Sequence, residues 1–303
     1  MTHGVVFSDY EKQFSLKYEI YALAVFTVIF YAVRKIKLDW RSKRIFPDSD
    51  IFIRYMTDKV KDYFGASGTY DSNSGFPDGE IEKFNFFTDD IAAIKGKYLI
   101  CGKYKGTDFR LAYEDIRRKH VYNDSEGYTC VEYLSMFSGY IISVPFRSGS
   151  IFPVGIRPKT REELIGNKKK KNRFIKSNNS ENCKTQNDNF NSLFSVFSDN
   201  KEHIGYVLTS DLTEKIMGLY SYINDYENGP EQNISNTFSG IYIYIEYNRI
   251  YLGISSKCDF FHFSGLKADD SGFEELSDKI NKAFGHMKFI IDAALSLQSS
   301  GWQ

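Results

Sequence analysis

The feature that most limits how this chain can fold is an uncharged run near its start, Ile20 to Val33. Its fourteen residues would cover roughly 21 Å as a helix, less than the ~30 Å hydrocarbon core of a bilayer. Counting from Leu16 extends the helix to about 27 Å, and Arg34 and Lys35 can reach the interface with their charged ends. The run therefore predicts a membrane span over about residues 18–35. Inside it lie Ile20, Ala24, Thr27, Ile29 and Tyr31.

The charges around this run predict its orientation. Six basic residues follow it, opposed by Asp39 alone: Arg34, Lys35, Lys37, Arg41, Lys43 and Arg44. The positive-inside rule then places the chain after Arg34 in the cytoplasm. An amphipathic helix that lies in the membrane interface is the alternative.

Composition and motifs give no sign of a catalytic centre. The 39 basic and 39 acidic residues balance, so no net field attracts nucleic acid. The four cysteines show no CxxC spacing and no histidine pair at a metal-site interval, so we predict no metal site. GxSxG, HExxH, GxxxxGKS/T and GxGxxG motifs are absent from the sequence. We therefore predict no catalytic residue and no cofactor.

One segment resembles a calcium-binding loop in its spacing. Six residues fall at calcium-loop intervals: Asp71, Asn73, Gly75, Pro77, Gly79 and Glu82. The sixth position is Phe76, where such loops need glycine, and Gly75 brings no carboxylate. We therefore favour a capped surface turn over a calcium site.

Residue patterns divide the chain into three parts. Residues 1–44 hold the helix with the membrane span, residues 45–94 a helical connector with a turn-rich loop, and residues 95–303 a cytosolic α+β domain. Apolar spacing over Ile51–Phe64 predicts the connector helix. Residues 166–189 are polar and rich in Asn and Lys, which predicts a mobile loop inside the domain.

Apolar spacing within the domain predicts an antiparallel sheet with covering helices. From Lys95 to Arg157 the pattern is that of β-strands, and "SLFSVFSD" and "HIGYVLTS" are predicted as two short strands around a turn. Thr209 or Ser210 caps a predicted helix, and a C-terminal helix carries an apolar stripe from Phe273 to Ala294. Helices that follow and cover a sheet are typical of the α+β class.

The segment "GIYIYIEYNRIYLGIS" predicts a β-hairpin with Asn248 in the left-handed turn position. Its isoleucines and leucine share one face, and Tyr242, Tyr244 and Tyr251 share the other. An uncovered tyrosine row would be a docking surface for a cytosolic protein partner. The alternative, which we favour, is a helix packed over the row.

A basic cluster lies in the predicted mobile loop and contains Phe174. It consists of Lys168, Lys169, Lys170, Lys171, Arg173 and Lys176. Lysines beside an aromatic ring can bind phosphates and stack on a base, which would suit an oligonucleotide or another anionic ligand. We favour contact with solvent or anionic lipid over contact with nucleic acid.

The order of these elements resembles a bacterial family known as domain of unknown function 3137. The similarity rests on "FNSLFSVFSDNKEHIGYVLTSDLTEKIMGLY", on "GIYIYIEYNRIYLGISSKCDFF" and on the loop "GTYDSNSGFPDGEIEKF". Members of that family typically carry two apolar segments near the N-terminus, whereas this chain shows one. The resemblance implies a cytosolic domain attached to the bacterial inner membrane and no established activity.

Three functions arise as hypotheses. In the first, the cytosolic domain is a sensor that binds a ligand or partner and controls an oligomeric membrane helix, as a pore-forming effector in bacterial stress or phage defence would. In the second, the helix is an anchor and the domain a scaffold for another protein. The third is an unrecognised hydrolase with paired acids from distant strands. The first predicts the membrane and further copies of the chain as partners.

Overall fold

The computed structural model describes residues 50–84, 87, 90–159, 181–228, 238–256, 259, 261 and 270–298. The predicted membrane span and the basic cluster Lys168–Lys176 lie outside the described residues, so both stay predictions. Within the described residues, no helix is both long and apolar enough to cross a membrane.

The described chain is α+β, as predicted, with an antiparallel sheet. Its strands are β1 Thr69–Asp71, β2 Ile91–Tyr104, β3 Thr107–Asn123, β4 Thr129–Pro158, β5 Glu181–Cys183, β6 Phe194–Ser198 and β7 Phe238–Ser256. Its helices are α1 Asp50–Phe64, α2 Asp78–Ile81, α3 Asp188–Leu193, α4 Lys201–Val207, α5 Ser210–Asn228 and α6 Asp270–Gln298. The predicted connector helix is confirmed as α1. The end of the predicted mobile loop, residues 181–189, instead contains β5 and the start of α3.

Two compact units are present. One comprises residues 1–46 and 263–278, of which the structure describes the first turns of α6, Asp270–Asp278. The other comprises residues 47–262 and 279–303 and holds the sheet. Residues 47–94 of the predicted connector therefore belong to the same unit as the sheet.

The long strand β4 is the centre of the sheet. On one side it pairs with β7, from Gly139↔Ser255 to Ile156↔Ile243. On its other side it pairs first with β3 and then with β6, so these two strands share one edge of β4. β2 and β1 continue the sheet beyond β3, and β5 continues it beyond β6. All these pairs are antiparallel, which matches the fold class predicted from the sequence.

Two helices cover one face of the sheet, which we call the helix face. Phe52, Met56, Val60 and Phe64 of α1 are buried, and Phe64 contacts Phe109 of β3 with ring centroids 4.9 Å apart. Tyr63 of α1 stacks on Phe284 of α6 at 4.5 Å. The predicted C-terminal stripe is confirmed, since its described members from Leu276 to Ala294 are buried. Apolar burial of this extent is the main stabilising term for such a layer.

The predicted hairpin is wrong in topology and right in its faces. Residues 238–256 form the single strand β7, and Tyr247 rather than Asn248 takes the left-handed conformation, with φ of 51°. This irregularity shifts the alternation by one residue, as a bulge does. Tyr244 and Tyr251 therefore lie on the same face, with ring centroids 6.0 Å apart, the outcome that a hairpin would also give.

The prediction of a strand for "HIGYVLTS" is wrong. Residues 201–207 form α4, because the Asn200 side chain accepts hydrogen bonds from the N–H groups of Glu202 and His203 and so caps a helix. Its buried residues Ile204 and Val207 are spaced by three, which suits a helix. The next helix is confirmed as α5, and the Leu212 N–H donates to its predicted cap, Thr209.

Candidate functional site

A loop covers the second face of the sheet, opposite the helix face. We call residues Ser72–Phe84 the cover loop; it contains the one-turn helix α2. Its three large apolar side chains, Phe76, Ile81 and Phe84, are buried. They pack on a cluster from β3, β4, β6 and β7: Ala112, Ile116, Phe137, Ile141, Phe197, Tyr244 and Tyr251. The cover loop therefore forms one side of a second hydrophobic layer, and the sheet forms the other.

An acidic residue lies within this layer. Glu114 is on β3, and its side chain points to the same face as Ala112 and Ile116 because alternate strand residues share a face. It is 0 % exposed. Its Oε1 accepts a hydrogen bond from the Phe76 N–H at 2.7 Å, and its Oε2 has no partner among the described residues. A buried carboxylate with one satisfied oxygen is expensive to ionise.

The surroundings of Glu114 shift its pKa upward. Burial raises the pKa from 4.5 to about 7, because a poorly solvated site disfavours the charged form. The hydrogen bond from the Phe76 N–H acts in the opposite direction, and the nearby Asp78 carboxylate raises the pKa further. Glu114 therefore changes its protonation state near neutral pH.

Glycines allow the cover loop to lie in direct contact with β2 and with the carboxyl group of Glu114. Gly96 and Gly139 are the register partners of Glu114 on the two neighbouring strands. A Cβ placed on Gly96 would lie 2.5 Å from the Cα of Gly75 and 2.7 Å from Glu114 Oε2. No side chain can occupy such a gap, so backbone from the cover loop and from β2 encloses the carboxyl group directly.

The loop is attached to β2 by backbone hydrogen bonds. The Tyr98 N–H donates to the Ser72 carbonyl at 3.2 Å, and the Leu99 N–H donates to the Ser74 carbonyl at 3.0 Å. At the loop's entry, Asp71 accepts from the Asn73 N–H at 2.9 Å and the Ser74 hydroxyl at 2.7 Å. This is the capped turn predicted for the calcium-like segment, and the described residues hold no cluster of metal-ligating side chains.

A second polar contact holds the far end of the cover loop. The Arg110 guanidinium donates to Glu80 Oε1, and the Tyr251 hydroxyl donates to the same oxygen at 2.6 Å. Arg110 also lies over the Phe76 ring, 5.1 Å from its centroid. Burial and the Glu80 carboxylate raise the pKa of Tyr251 to about 12. Charged hydrogen bonds of this kind fix geometry as well as add stability.

The tyrosine docking surface was predicted on the condition that the row is uncovered, and two of its three tyrosines are buried. Tyr244 and Tyr251 are 2 % and 6 % exposed, and Tyr242 is half-buried against Phe137. Phe84 covers both buried rings, with centroids 4.9 Å and 5.1 Å away. Tyr244 and Tyr251 are therefore covered, although by a loop with one helical turn rather than by the packed helix that the sequence favoured.

A third polar group lies on the helix face, behind the same part of β2. Lys97 pairs with Asp259, and its ammonium lies 4.8 Å from the Tyr98 ring centroid and 4.9 Å from that of Tyr113. The Tyr140 hydroxyl also donates to Asp259, at 3.3 Å. Hydrogen bonding to Asp259 and its charge raise the pKa of Lys97 against the effect of burial, so the amine stays protonated. Lys97 is thus a fixed positive charge, and a protonated amine does not act as a nucleophile.

Tyr98 links the two faces. Its φ is 60°, which is unusual for a residue with a side chain, and β2 has a register irregularity between Lys97 and Ile100. The Tyr98 backbone holds the cover loop through Ser72, while its ring contacts Phe261 at 5.3 Å. Tyr98 therefore contacts the cover loop through its backbone and Phe261 through its ring.

Comparison with known proteins matches this chain to an uncharacterised family. A family model described as "Protein of unknown function (DUF3137)" matches residues 135–298, from β4 to the end of α6, and confirms the resemblance seen in the sequence. Glu114 and the cover loop precede the matched part. No curated protein matches the chain. Among solved structures, the crystal structure of the mycobacterial trehalose monomycolate transport factor A, TtfA, is similar at 9 % identity and a TM-score of 0.34, over 76 % of this chain and 94 % of that chain.

Proposed function

This chain belongs to the DUF3137 family of proteins of unknown function, and from that premise we propose that it is a membrane-tethered regulatory protein whose α+β domain is a sensor. In this proposal the cover loop is the moving element and Glu114 is the group whose charge controls it. The N-terminal run Ile20–Val33 holds the domain at the membrane. The sensed event is loss of the Glu114 proton or arrival of a cationic ligand group at its free oxygen.

The observation that carries the proposal is the unsatisfied oxygen of the fully buried Glu114. The closed loop suits the neutral acid, because a buried carboxylate without a positive partner costs several kcal/mol. Once ionised, Glu114 favours any conformation that admits water or a cation to Oε2. Opening of the loop is the direct way to provide either. The charge of Glu114 therefore shifts the equilibrium between a closed and an open conformation of the cover loop.

A chain of contacts connects Glu114 and the cover loop to residues that follow β7. The Phe76 N–H hydrogen bond ties Glu114 to the loop, and the loop is tied to Tyr98 of β2. Tyr98 and Lys97 then contact Phe261 and Asp259. Coupling through contiguous packed and hydrogen-bonded groups is a physical route between sites when its elements have two arrangements.

The sensor role predicts pH-dependent protection of the Phe76 amide. In the full chain in mild detergent, hydrogen exchange at Phe76, corrected for its intrinsic rate, should be at least about tenfold less protected at about pH 8 than at about pH 6. In Glu114→Gln the protection should be the same at both pH values. Equal protection in the unsubstituted protein at both pH values, or the same pH response in the Gln variant, contradicts the proposal.

The tether predicts sedimentation with membranes after gentle lysis. The full chain should stay in the membrane pellet, and the double variant Ala24→Arg, Ile29→Arg should move largely to the supernatant, since each central charge costs about 3 kcal/mol of insertion. A matched pair, Ser8→Arg with Ser15→Arg, lies before the apolar run and should leave the protein in the pellet. Recovery of the unsubstituted chain in the supernatant contradicts the tether but leaves the Glu114 switch standing.

A scaffold role for the domain is the alternative. Two of the three tyrosines that would serve it, Tyr244 and Tyr251, are buried under the loop. A scaffold would therefore need another surface, or the loop would first have to open.

A further inference from the structure

The strands β3 and β4 extend beyond the rest of the sheet as a two-stranded ribbon. β2 pairs with β3 as far as Arg118, and β7 pairs with β4 only from Gly139. From Lys119↔Tyr133 to Asn123↔Thr129, the described residues show no third strand on either side. We call residues 119–133, with the turn between the strands, the arm.

One face of the arm is apolar at its centre. Val121 and Val131 are register partners, so both side chains lie on the same face. They are 53 % and 50 % exposed, and Tyr133, two residues from Val131 on this face, is 51 % exposed. A cross-strand valine pair flanked by tyrosine on a ribbon without cover is a contiguous apolar patch of the kind that marks an interaction site.

On the face of the valine pair, the charges of the arm are separated along its length. Lys119 lies at the base, whereas the turn at the tip carries Asp124 and Glu126. Glu132, which is next to Val131 in the strand, lies on the opposite face. Lys119 shares the face of the valine pair, two residues from Val121, and both Lys119 and Glu126 are exposed. The apolar centre is therefore bracketed by positive charge on one side and negative charge on the other.

We propose that the arm packs face to face on the arm of a second copy of this chain, with the two arms antiparallel. A two-fold axis near the valine pair brings the four valines together. It also places Lys119 of each copy opposite the acidic tip of the other. A two-fold contact needs a self-complementary surface. A patch with positive charge at one end and negative charge at the other meets this condition, because the symmetry forms the same ion pair twice.

The charge pattern selects a second copy over other partners. An anionic bilayer or a nucleic acid attracts positive charge along its whole contact, and the acidic tip would be repelled. The offsets also agree. Lys119 lies two residues from Val121, roughly 7 Å along a strand, and the turn that carries Glu126 begins three residues from Val121, at roughly 10 Å. Lys119 of one copy therefore comes within reach of Glu126 of the other when the valines meet. This inference does not depend on the Glu114 switch or on the membrane tether.

The test is a charge exchange measured by sedimentation on the full chain in mild detergent. Lys119→Glu and Glu126→Lys should each weaken self-association by about tenfold, since each creates two like-charge contacts in a symmetric dimer. The double variant Lys119→Glu, Glu126→Lys should restore it, because both pairs are re-formed with reversed sign. Val121→Asp should weaken it by at least about a hundredfold, since it places charge on the axis.

Tyr206→Asp is the matched control, since Tyr206 lies exposed on α4, away from the arm. It should leave self-association unchanged, and unchanged melting temperatures should show that every variant folds. If the unsubstituted chain is monomeric at about 100 µM, a concentration at which an interface of this kind should form, the proposal is overturned. It is also overturned if self-association survives Val121→Asp, if the double variant fails to restore it, or if the arm binds anionic vesicles without self-association.

Discussion

Glu114→Gln should abolish the fall in stability that the unsubstituted protein shows as pH rises from about 5 to about 8. In the unsubstituted protein the folded-state pKa of Glu114, about 7, lies above the unfolded value near 4.5. Between these values the folded state holds a proton that the unfolded state has lost. The free energy of unfolding therefore falls as pH rises through this window, and the stabilising protonated form is fully present only below it.

The expected size comes from the same shift. A displacement from 4.5 to about 7 corresponds to a loss of about 3 kcal/mol across the window. The amide of Gln cannot ionise, and its oxygen can still accept from the Phe76 N–H. Its NH₂ group is left without the partner that Oε2 also lacks, which costs about 1 kcal/mol. At pH 8 the variant should thus be more stable than the unsubstituted protein by about 2 kcal/mol, and at pH 5 it should be slightly less stable.

Urea unfolding of the full chain in mild detergent at several pH values measures this difference. Glu82→Gln is the matched control, because Glu82 lies exposed in the same cover loop. It should reproduce the pH profile of the unsubstituted protein. If Glu114→Gln is less stable than the unsubstituted protein by the same amount at every pH, then Glu114 has a structural role and is not a titrating switch.

The helical layer and the apolar face of β7 could be predicted from the sequence because each depends on local spacing. The stripes of α1 and α6 repeat at helical intervals, and their residues are buried accordingly. The isoleucines of β7 alternate, and all of them are buried. Local spacing could not distinguish a hairpin from a bulged strand, since both shift the alternation by one residue. That distinction depends on β4, about a hundred residues earlier in the chain.

The candidate site could not be predicted, because its properties arise from contacts between distant segments. Glu114 stands in "LAYEDIRR", where a charged residue in an alternating strand is ordinarily expected to face solvent. It is buried because the cover loop, 38 residues earlier at Phe76, lies over it. The one available signal was in the loop itself: Phe76, Ile81 and Phe84 are large apolar residues in a segment otherwise rich in turn formers. Large apolar residues in such a loop indicate that it packs on an apolar surface.

The closeness of loop and strand gives the second large expected effect, in Gly96→Ala. The added Cβ would lie 2.5 Å from the Cα of Gly75, closer than real Cβ contacts, and 2.7 Å from Glu114 Oε2. The nearest obstacle is backbone, which cannot rotate away as a flexible side chain can. We expect a loss of about 3 kcal/mol in the free energy of unfolding at pH 6, as in overpacked cores. Gly79→Ala is the control, because a Cβ there meets nothing within 4 Å, and it should change stability by less than about 1 kcal/mol.

The pH dependence of Gly96→Ala distinguishes displacement of the cover loop from simple strain. If the methyl group lifts the loop from β2, water reaches Glu114 and its pKa moves back toward the value of an exposed acid. The folded and unfolded states then hold the same protons, so the slope of stability against pH should shrink together with the stability itself. Urea unfolding at pH 6 and pH 8 measures both quantities. If the variant loses about 3 kcal/mol of unfolding free energy at both pH values, the carboxyl group stays enclosed. The added methyl group then strains the contact with Gly75 without opening the loop.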